Sequence, residues 1–394
     1  MADQRFVSLD VLRGIAILGT LGTNIWIFTN VDGFVGYLSD PTQADGAWRV
    51  AQVLLEQLTQ GKFLGLLTIM FGIGLAIQQA SATRRGRSWP GRYYWRAILL
   101  FIDGTLNYLL FTEFDVLMGY AVTGLIVAYL LSMSIRRQRL AIGIAGTVHL
   151  ILVGLIVWAL AAAPGGSSES SKPLSPNPYA DDSFLDLVVF RIQNIGVFRA
   201  EVVLIVPMSI ALFLIGAALL RAGVLEPRGA MLRRRLMIAG LGVAAPLDFV
   251  AGIFGGTAGL ILGRYVLAPV VSLAILAWVA GFYADGRAAG RVGRLMSPVG
   301  RTALSCYVLQ NAIAGAICYG WGLGFAAHLD ATTVVPVTIA LYLAISATMI
   351  VLATLWLRRF KRGPLEWLWH SSYQRLAGEG RAPNAANRDT TLTR

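Results

Sequence analysis

RFVSLDVLRGIAILG (5–19) opens an apolar stretch that runs to about Thr29, with Asp10 and Arg13 at its mouth. The run is long enough to cross a bilayer, which takes about 20 residues of helix. A charge inside such a helix costs roughly 2.5–3.5 kcal/mol on insertion scales, so the pair needs a reason. The i, i+3 spacing puts both side chains on one helix face, where each partly neutralises the other. That face looks into protein or a wet cavity, not into lipid. Two readings follow: the arginine anchors a substrate or cofactor, or the pair is structural and fixes the first helix in a bundle.

Working outward, the rest of the chain has the same character. Of its 394 residues, 56% are hydrophobic and only 14% charged, against roughly 25% charged in soluble proteins. Apolar segments near bilayer length cover roughly 8–29, 50–79, 93–111, 115–133, 139–162, 201–220, 232–255, 260–283, 302–324 and 333–357. The expectation is an all-α polytopic membrane protein of about ten transmembrane helices, forming a single domain over 1–370. Asp10 and Arg13 break the apolar region a signal peptide would need, so the first helix is retained.

The net charge of +12 is explained by where the charges fall. Alternate loops carry Arg84, Arg85, Arg87 and Arg92, then Arg136, Arg137 and Arg139, then Arg228 and Arg233 to Arg235. Further on come Arg287, Arg291 and Arg294, then Arg358, Arg359, Lys361 and Arg362. The intervening loops carry Asp32, Asp40 and Asp45, then Glu113, Asp181 with Asp182, and Asp330. By the positive-inside rule both termini lie in the cytoplasm. Topology thus accounts for the basic excess, and the expected partners are membrane lipids, not nucleic acid. Cys306 and Cys318 share one segment about 18 Å apart as helix, too far for a disulfide, and no Cys/His spacing suggests a metal.

Two stretches break the pattern. Residues 164–183 are rich in Pro, Ser and Gly and read as a flexible outer loop, and 371–394 as a disordered cytoplasmic tail. Between loop and bundle, 184–199 is too short and too charged to span, so it reads as an interfacial helix offering Arg191, Asn194 and Arg199 to a cavity. The segment 50–79 has a polar first half, with Glu56, Gln57, Gln60 and Lys62, that must face other helices or water.

At 1.5 Å per residue, Asp103 falls near mid-depth of the third segment, with Asn107 one turn further out on the same face. Glu113 and Asp115 follow at the outer turn. Asn24, Asp248 and Glu201 lie in the outer half, Gln310 and Asn311 near the middle of the ninth segment. His149, between Val148 and Leu150, reads as a packing residue. The inference is a polar route from a basic cytoplasmic mouth to an acidic outer cavity.

At these residues a resemblance emerges. RFVSLDVLRGIAILG, QGKFLGLLTIMFGIGLA (60–76), FDVLMGYAVTGL (114–125), GRTALSCYVLQNAI (300–313) and FKRGPLEWLW (360–369) are together similar to the YeiB family of bacterial inner-membrane proteins. That family resembles the transmembrane acyltransferases, including heparan-sulfate glucosaminide acetyltransferases and the acyltransferase-three proteins. The resemblance implies transfer of an acyl group from cytoplasmic acyl-CoA to an extracytoplasmic glycan or lipid. Asp10, Arg13 and Arg96 would hold the donor, whose phosphates suit arginine. Asn24, Glu56, Lys62, Asp248, Gln310 and Asn311 would line the acceptor cavity.

Such chemistry needs a general base, normally histidine. YeiB relatives are expected to carry one eight residues before the aspartate matched by Asp115, and this chain has Asn107 there. The first outer loop, 30–48, lacks the histidine of the glucosaminide enzymes, and His328 and His370 lie elsewhere. The catalytic candidates are therefore Asp103, Asn107, Glu113 and Asp115, with Asp103 as base if burial tunes it, or Glu113 or Asp115 from the outer turn. The alternatives are a transporter or flippase of a small or amphiphilic molecule, and a non-catalytic lipid- or glycan-binding protein.

Overall fold

The computed structural model describes residues 7–39, 42–162 and 174–376. Helix α1 (Val7–Phe28) is the axis of the bundle and is nearly all buried. It ends where Thr29 Oγ1 donates back to the Ile25 carbonyl at 3.0 Å and Asn30 Oδ1 accepts the Asp32 N–H at 3.0 Å. Its closest neighbour is α15 (Arg291–Arg301). A Cβ on Gly14 would strike the Met296 carbonyl, and one on Gly300 the Asp10 carbonyl. Glycine on both sides of the crossing lets two backbones touch, the usual packing device where lipid offers no hydrophobic drive. Asp10 lies buried at this crossing.

The segment expected over 50–79 is two helices, α3 (Gly46–Thr59) and α4 (Lys62–Arg84). The break falls at Gly61, whose φ of +71° only glycine adopts without strain, and where a Cβ would also meet the Arg264 carbonyl at 2.7 Å. Then follow α5 (Tyr93–Leu110), α6 (Leu117–Leu131) and α7 (Ile135–Ala162). The short α2 (Gly33–Ser39) lies after α1, and α8 (Phe184–Gln193) and α9 (Ile195–Phe198) precede α10 (Val202–Arg221). α11 (Ala230–Met237) continues through a π-type stretch into α12 (Ala245–Phe254), and α13 (Gly256–Leu262) through another into α14 (Ala268–Tyr283). The chain closes with α16 (Ala303–Cys318), α17 (Val334–Arg359) and α18 (Pro364–Leu376).

The architecture is all-α, with no strand among the described residues. Each of the ten apolar segments falls on helix, and among the described residues seven runs are long and apolar enough to cross a membrane. The remaining three differ: α6 and α16 are short at 15 and 16 residues, and α5 carries Arg96, Asp103 and Asn107. α7 and the α11–α12 run are peripheral, mostly apolar and exposed.

Two stretches differ from the loose segments expected. Residues 174–183 are fastened to the bundle: Asn177 Nδ2 donates to Val31 O at 3.0 Å and Asp32 Oδ1 at 2.8 Å, and buried Tyr179 packs its ring against Tyr319. The rest of that expected loop lies outside the described residues. Residues 371–376 continue α18, held by Tyr373, while 377–394 also fall outside them.

Candidate functional site

Two cavities enter the bundle from opposite ends. At the end where α1 begins, a cavity of about 380 Å³ is lined by Arg13, Gln78, Arg96, Arg301, Glu366 and Trp369. It shares Gln78, Tyr93 and Arg96 with a second space of about 720 Å³ whose rim carries Arg85, Arg87 and Arg92. This is the basic end.

The motif GPLEWLW builds one wall of it. Glu366 accepts the backbone N–H groups of Leu304 at 2.8 Å and Ser305 at 3.2 Å, and the Ser305 hydroxyl at 2.5 Å. It therefore caps the first turn of α16, whose N–H groups have no helical partner and favour a negative charge. Trp369 and Tyr373, on the same helix, lie beneath the Arg96 guanidinium at 5.4 and 4.5 Å. Arg96 Nη1 donates to Gln78 Oε1 at 2.6 Å. Ring stacking and one hydrogen bond orient Arg96 toward the cavity.

At the opposite end lies a cavity of about 690 Å³. One wall is α1, with Thr20, Thr23 and Asn24; another is apolar, with Leu152, Leu155 and Ile156 of α7 and Leu260 and Ile261 of α13. Its polar pole is an ionic knot. Glu201 Oε1 accepts Arg264 Nε at 3.2 Å and Nη2 at 2.9 Å together with the Tyr265 hydroxyl, and Arg264 Nη1 donates to Gln60 Oε1 at 3.2 Å. Tyr37 of α2 lines the same cavity, its phenol pushed above its ordinary value by burial and then by the Glu56 carboxylate, so it stays protonated.

Arg264 and Tyr265 are presented by the π-type stretch Gly263–Leu267. Pro269 has no N–H to give the Tyr265 carbonyl four residues back. His149 fills that gap, with Nε2 2.9 Å from Tyr265 O and Nδ1 3.1 Å from Leu204 O. It ties peripheral α7 to the two helices that carry the knot.

Tyr307 lines both cavities and is itself buried. Beside it, Leu117 faces the basic cavity and Val116 the other. A polar cluster adjoins this septum. Asn107 Nδ2 donates to Asp115 Oδ1 at 2.9 Å, and Asn311 Nδ2 approaches Asn107 Oδ1 at 3.5 Å. Arg199 donates to the Asp115 carbonyl at 2.7 Å and stacks on Tyr108 at 3.9 Å. Both amide atoms of Gln310 and Oδ1 of Asn311 are buried without a hydrogen-bond partner among the described residues. Asp103 precedes Asn107 by one turn, as Tyr307 precedes Asn311. Since α5 and α16 both start at the basic end, Asp103 and Tyr307 share a level of the bundle. Asp103 Oδ2 is buried and likewise without a partner there.

Other expected site residues have different surroundings. Glu113 is in a fully buried pair with Arg191 of α8 at 2.9 Å, and Arg191 also donates to the Leu109 and Phe111 carbonyls. Lys62 and Asp248 form a buried pair at 2.5 Å closed by Gln57, and Glu56 accepts from Gln52 at 2.8 Å. Neither these nor Glu113 lines either cavity. Arg264, Tyr265, Arg301 and Tyr307 do, and were not among the expected residues. Among the described residues no group of three His, Cys, Asp or Glu could hold a metal ion.

Residues 219–375 match the family described as "Protein of unknown function (DUF418)". The chain is 26% identical to "Uncharacterized protein YxaH" of Bacillus subtilis (strain 168), over 94% of this chain and 95% of that one. It is 28% identical to "Uncharacterized protein YeiB" of Escherichia coli (strain K12), over 95% and 98% of the two chains. No solved structure matches it. The family segment covers α15, α16 and the α18 cap, and the two relatives extend the likeness over nearly the whole chain, so that the chain is similar to the YeiB family from end to end.

Proposed function

We propose that the protein is a membrane-embedded acyltransferase, taking an acyl group from a phosphate-bearing thioester at the basic end and delivering it to an acceptor in the opposite cavity. The observation that carries this reading is Tyr307, one side chain common to the walls of two cavities from opposite ends. Transfer needs donor and acceptor to meet without either passing through. The family resemblance read from the sequence points the same way, and the matching relatives are bacterial. In this reading the basic end faces the cytoplasm of the bacterial plasma membrane, and all ten apolar segments span.

Arg13, Arg96 and Arg301, with the arginines of the rim, would hold the phosphates of acyl-CoA, for which guanidinium geometry is suited. The acceptor's O–H or N–H oxygen or nitrogen attacks the thioester carbonyl, the C–S bond breaks, and the acceptor's proton ends on the released thiol. Asp103, level with the septum and with an unpartnered oxygen, is the group assigned to carry that proton. Asn107 and Asp115 hold the neighbouring turn in place.

Purified protein supplied with acyl-CoAs of several chain lengths and membrane lipid tests the reading through release of free thiol. Release that falls strongly in both Arg96→Ala and Asp103→Asn is the expected result. Absence of both binding and thiol release with every acyl-CoA overturns it.

A further inference from the structure

We propose that the cavity opposite the basic end seats a membrane lipid whose headgroup presents O–H or N–H donors, entering sideways from the bilayer. The inference rests on the reading that this cavity holds the acceptor, and it narrows the acceptor from glycan or lipid to lipid. The lining is continuous with the outer apolar surface. Leu155 and Val203 line the cavity while 55% and 63% exposed. On the same helix as Leu155, Ile151 and Trp158 are 56% and 68% exposed. Apolar side chains of a spanning helix left uncovered by protein face lipid. The opening among α7, α10 and α13 therefore leads into hydrocarbon.

The polar pole sets the headgroup. Arg264 is engaged by Glu201 and Gln60, so its charge is already neutralised and offers little to an anion. Glu201 Oε1 takes all three donors of the knot, leaving Oε2 as an acceptor on a side chain 29% exposed. Asn24 and Thr23 stand on the facing wall. A neutral pair with a spare carboxylate oxygen recognises donors, and a phosphomonoester brings acceptors only. At about 690 Å³ the cavity falls in the usual small-molecule range of roughly 300–1,000 Å³. It holds a headgroup and the upper part of a chain, and the remainder stays in the bilayer.

The experiment reads binding alone. Protein is reconstituted in phosphatidylcholine vesicles containing equal parts of diacylglycerol, phosphatidylethanolamine and phosphatidic acid, re-extracted, and its retained lipid counted by native mass spectrometry. Retention of diacylglycerol or phosphatidylethanolamine over phosphatidic acid by about tenfold is expected, the size of one charge-assisted hydrogen bond. Whichever of the two is retained identifies hydroxyl or amine as the donor. Glu201→Gln lowers that retention about tenfold, and Leu155→Trp, which fills the opening without touching the knot, lowers it independently. Phosphatidic acid retained as well as the others, or wild-type retention in both variants, overturns the proposal. Lipid retained by protein that neither binds any acyl-CoA nor releases thiol from one overturns the acyltransferase reading and leaves this one standing.

Discussion

Asn107 Nδ2 and Asp115 Oδ1 meet at 2.9 Å from the two sides of the α5–α6 turn, while Asp115 Oδ2 accepts the Met118 N–H at 3.1 Å. One carboxylate thus closes the turn and caps α6. Replacing Asp115 with alanine leaves a buried amide and a buried N–H without partners, each costing about 1–3 kcal/mol. A lowered thermal midpoint in detergent is expected, with Asp115→Asn falling between alanine and wild type. Asn107→His places an imidazole on the same carboxylate beside the septum, and thiol release from acyl-CoA is expected to rise. Unchanged release would make the Asn107–Asp115 contact purely structural.

Arg191 and Glu113 are both sealed from solvent. Removing one partner strands a buried charge, at about 3–5 kcal/mol. Arg191→Ala should therefore destabilise strongly, because the Leu109 and Phe111 carbonyls lose their donor as well. The double variant Arg191→Met/Glu113→Leu is expected to recover part of the loss. Melting curves of the two singles and the double form a cycle that measures the coupling.

The α1–α15 crossing depends on Gly300 being glycine. Gly300→Ala puts a methyl against the Asp10 carbonyl, and the backbones must separate. Loss of monodisperse protein on size exclusion is expected. Gly143→Ala, where a Cβ meets nothing within 4 Å, should behave as wild type. Equal behaviour of the two would refute a close crossing.

Asp330 closes the turn that leads into α17. Its Oδ1 accepts from the Thr332 and Thr333 backbones at 2.8 and 2.9 Å and from both hydroxyls, which hold its carboxyl down at about 2. A depressed carboxyl stabilises the fold above its unfolded value, and that contribution disappears as pH falls from about 4 toward about 2. Wild-type melting temperature should drop across that window more than that of Asp330→Asn. Parallel curves would contradict a stabilising role for this turn.

Hydropathy located the helices, since lipid demands apolar length and little else. It did not resolve the break at Gly61, because helices on both sides of a left-handed glycine read as one run. The π-type stretches at 238–244 and 263–267 leave no periodic trace, so Arg264 stayed hidden in an apolar segment. Among the site residues, Arg13, Arg96 and Asn24 line the cavities that depth and charge suggested. Glu113 could not be placed from sequence, because the side chain that neutralises it comes from α8, 78 residues away. Tyr307 carried no signal at all, being one aromatic in an apolar helix.

The most direct test of the account separates the acyl group from its carrier. Sealed vesicles containing the protein are given acyl-CoA from outside, labelled with one isotope in the acyl chain and another in the adenine. Transfer across the septum predicts acyl label covalently joined to extractable lipid or acceptor, with all adenine label remaining outside. Both labels inside the vesicles, or no covalently joined acyl label, would contradict it.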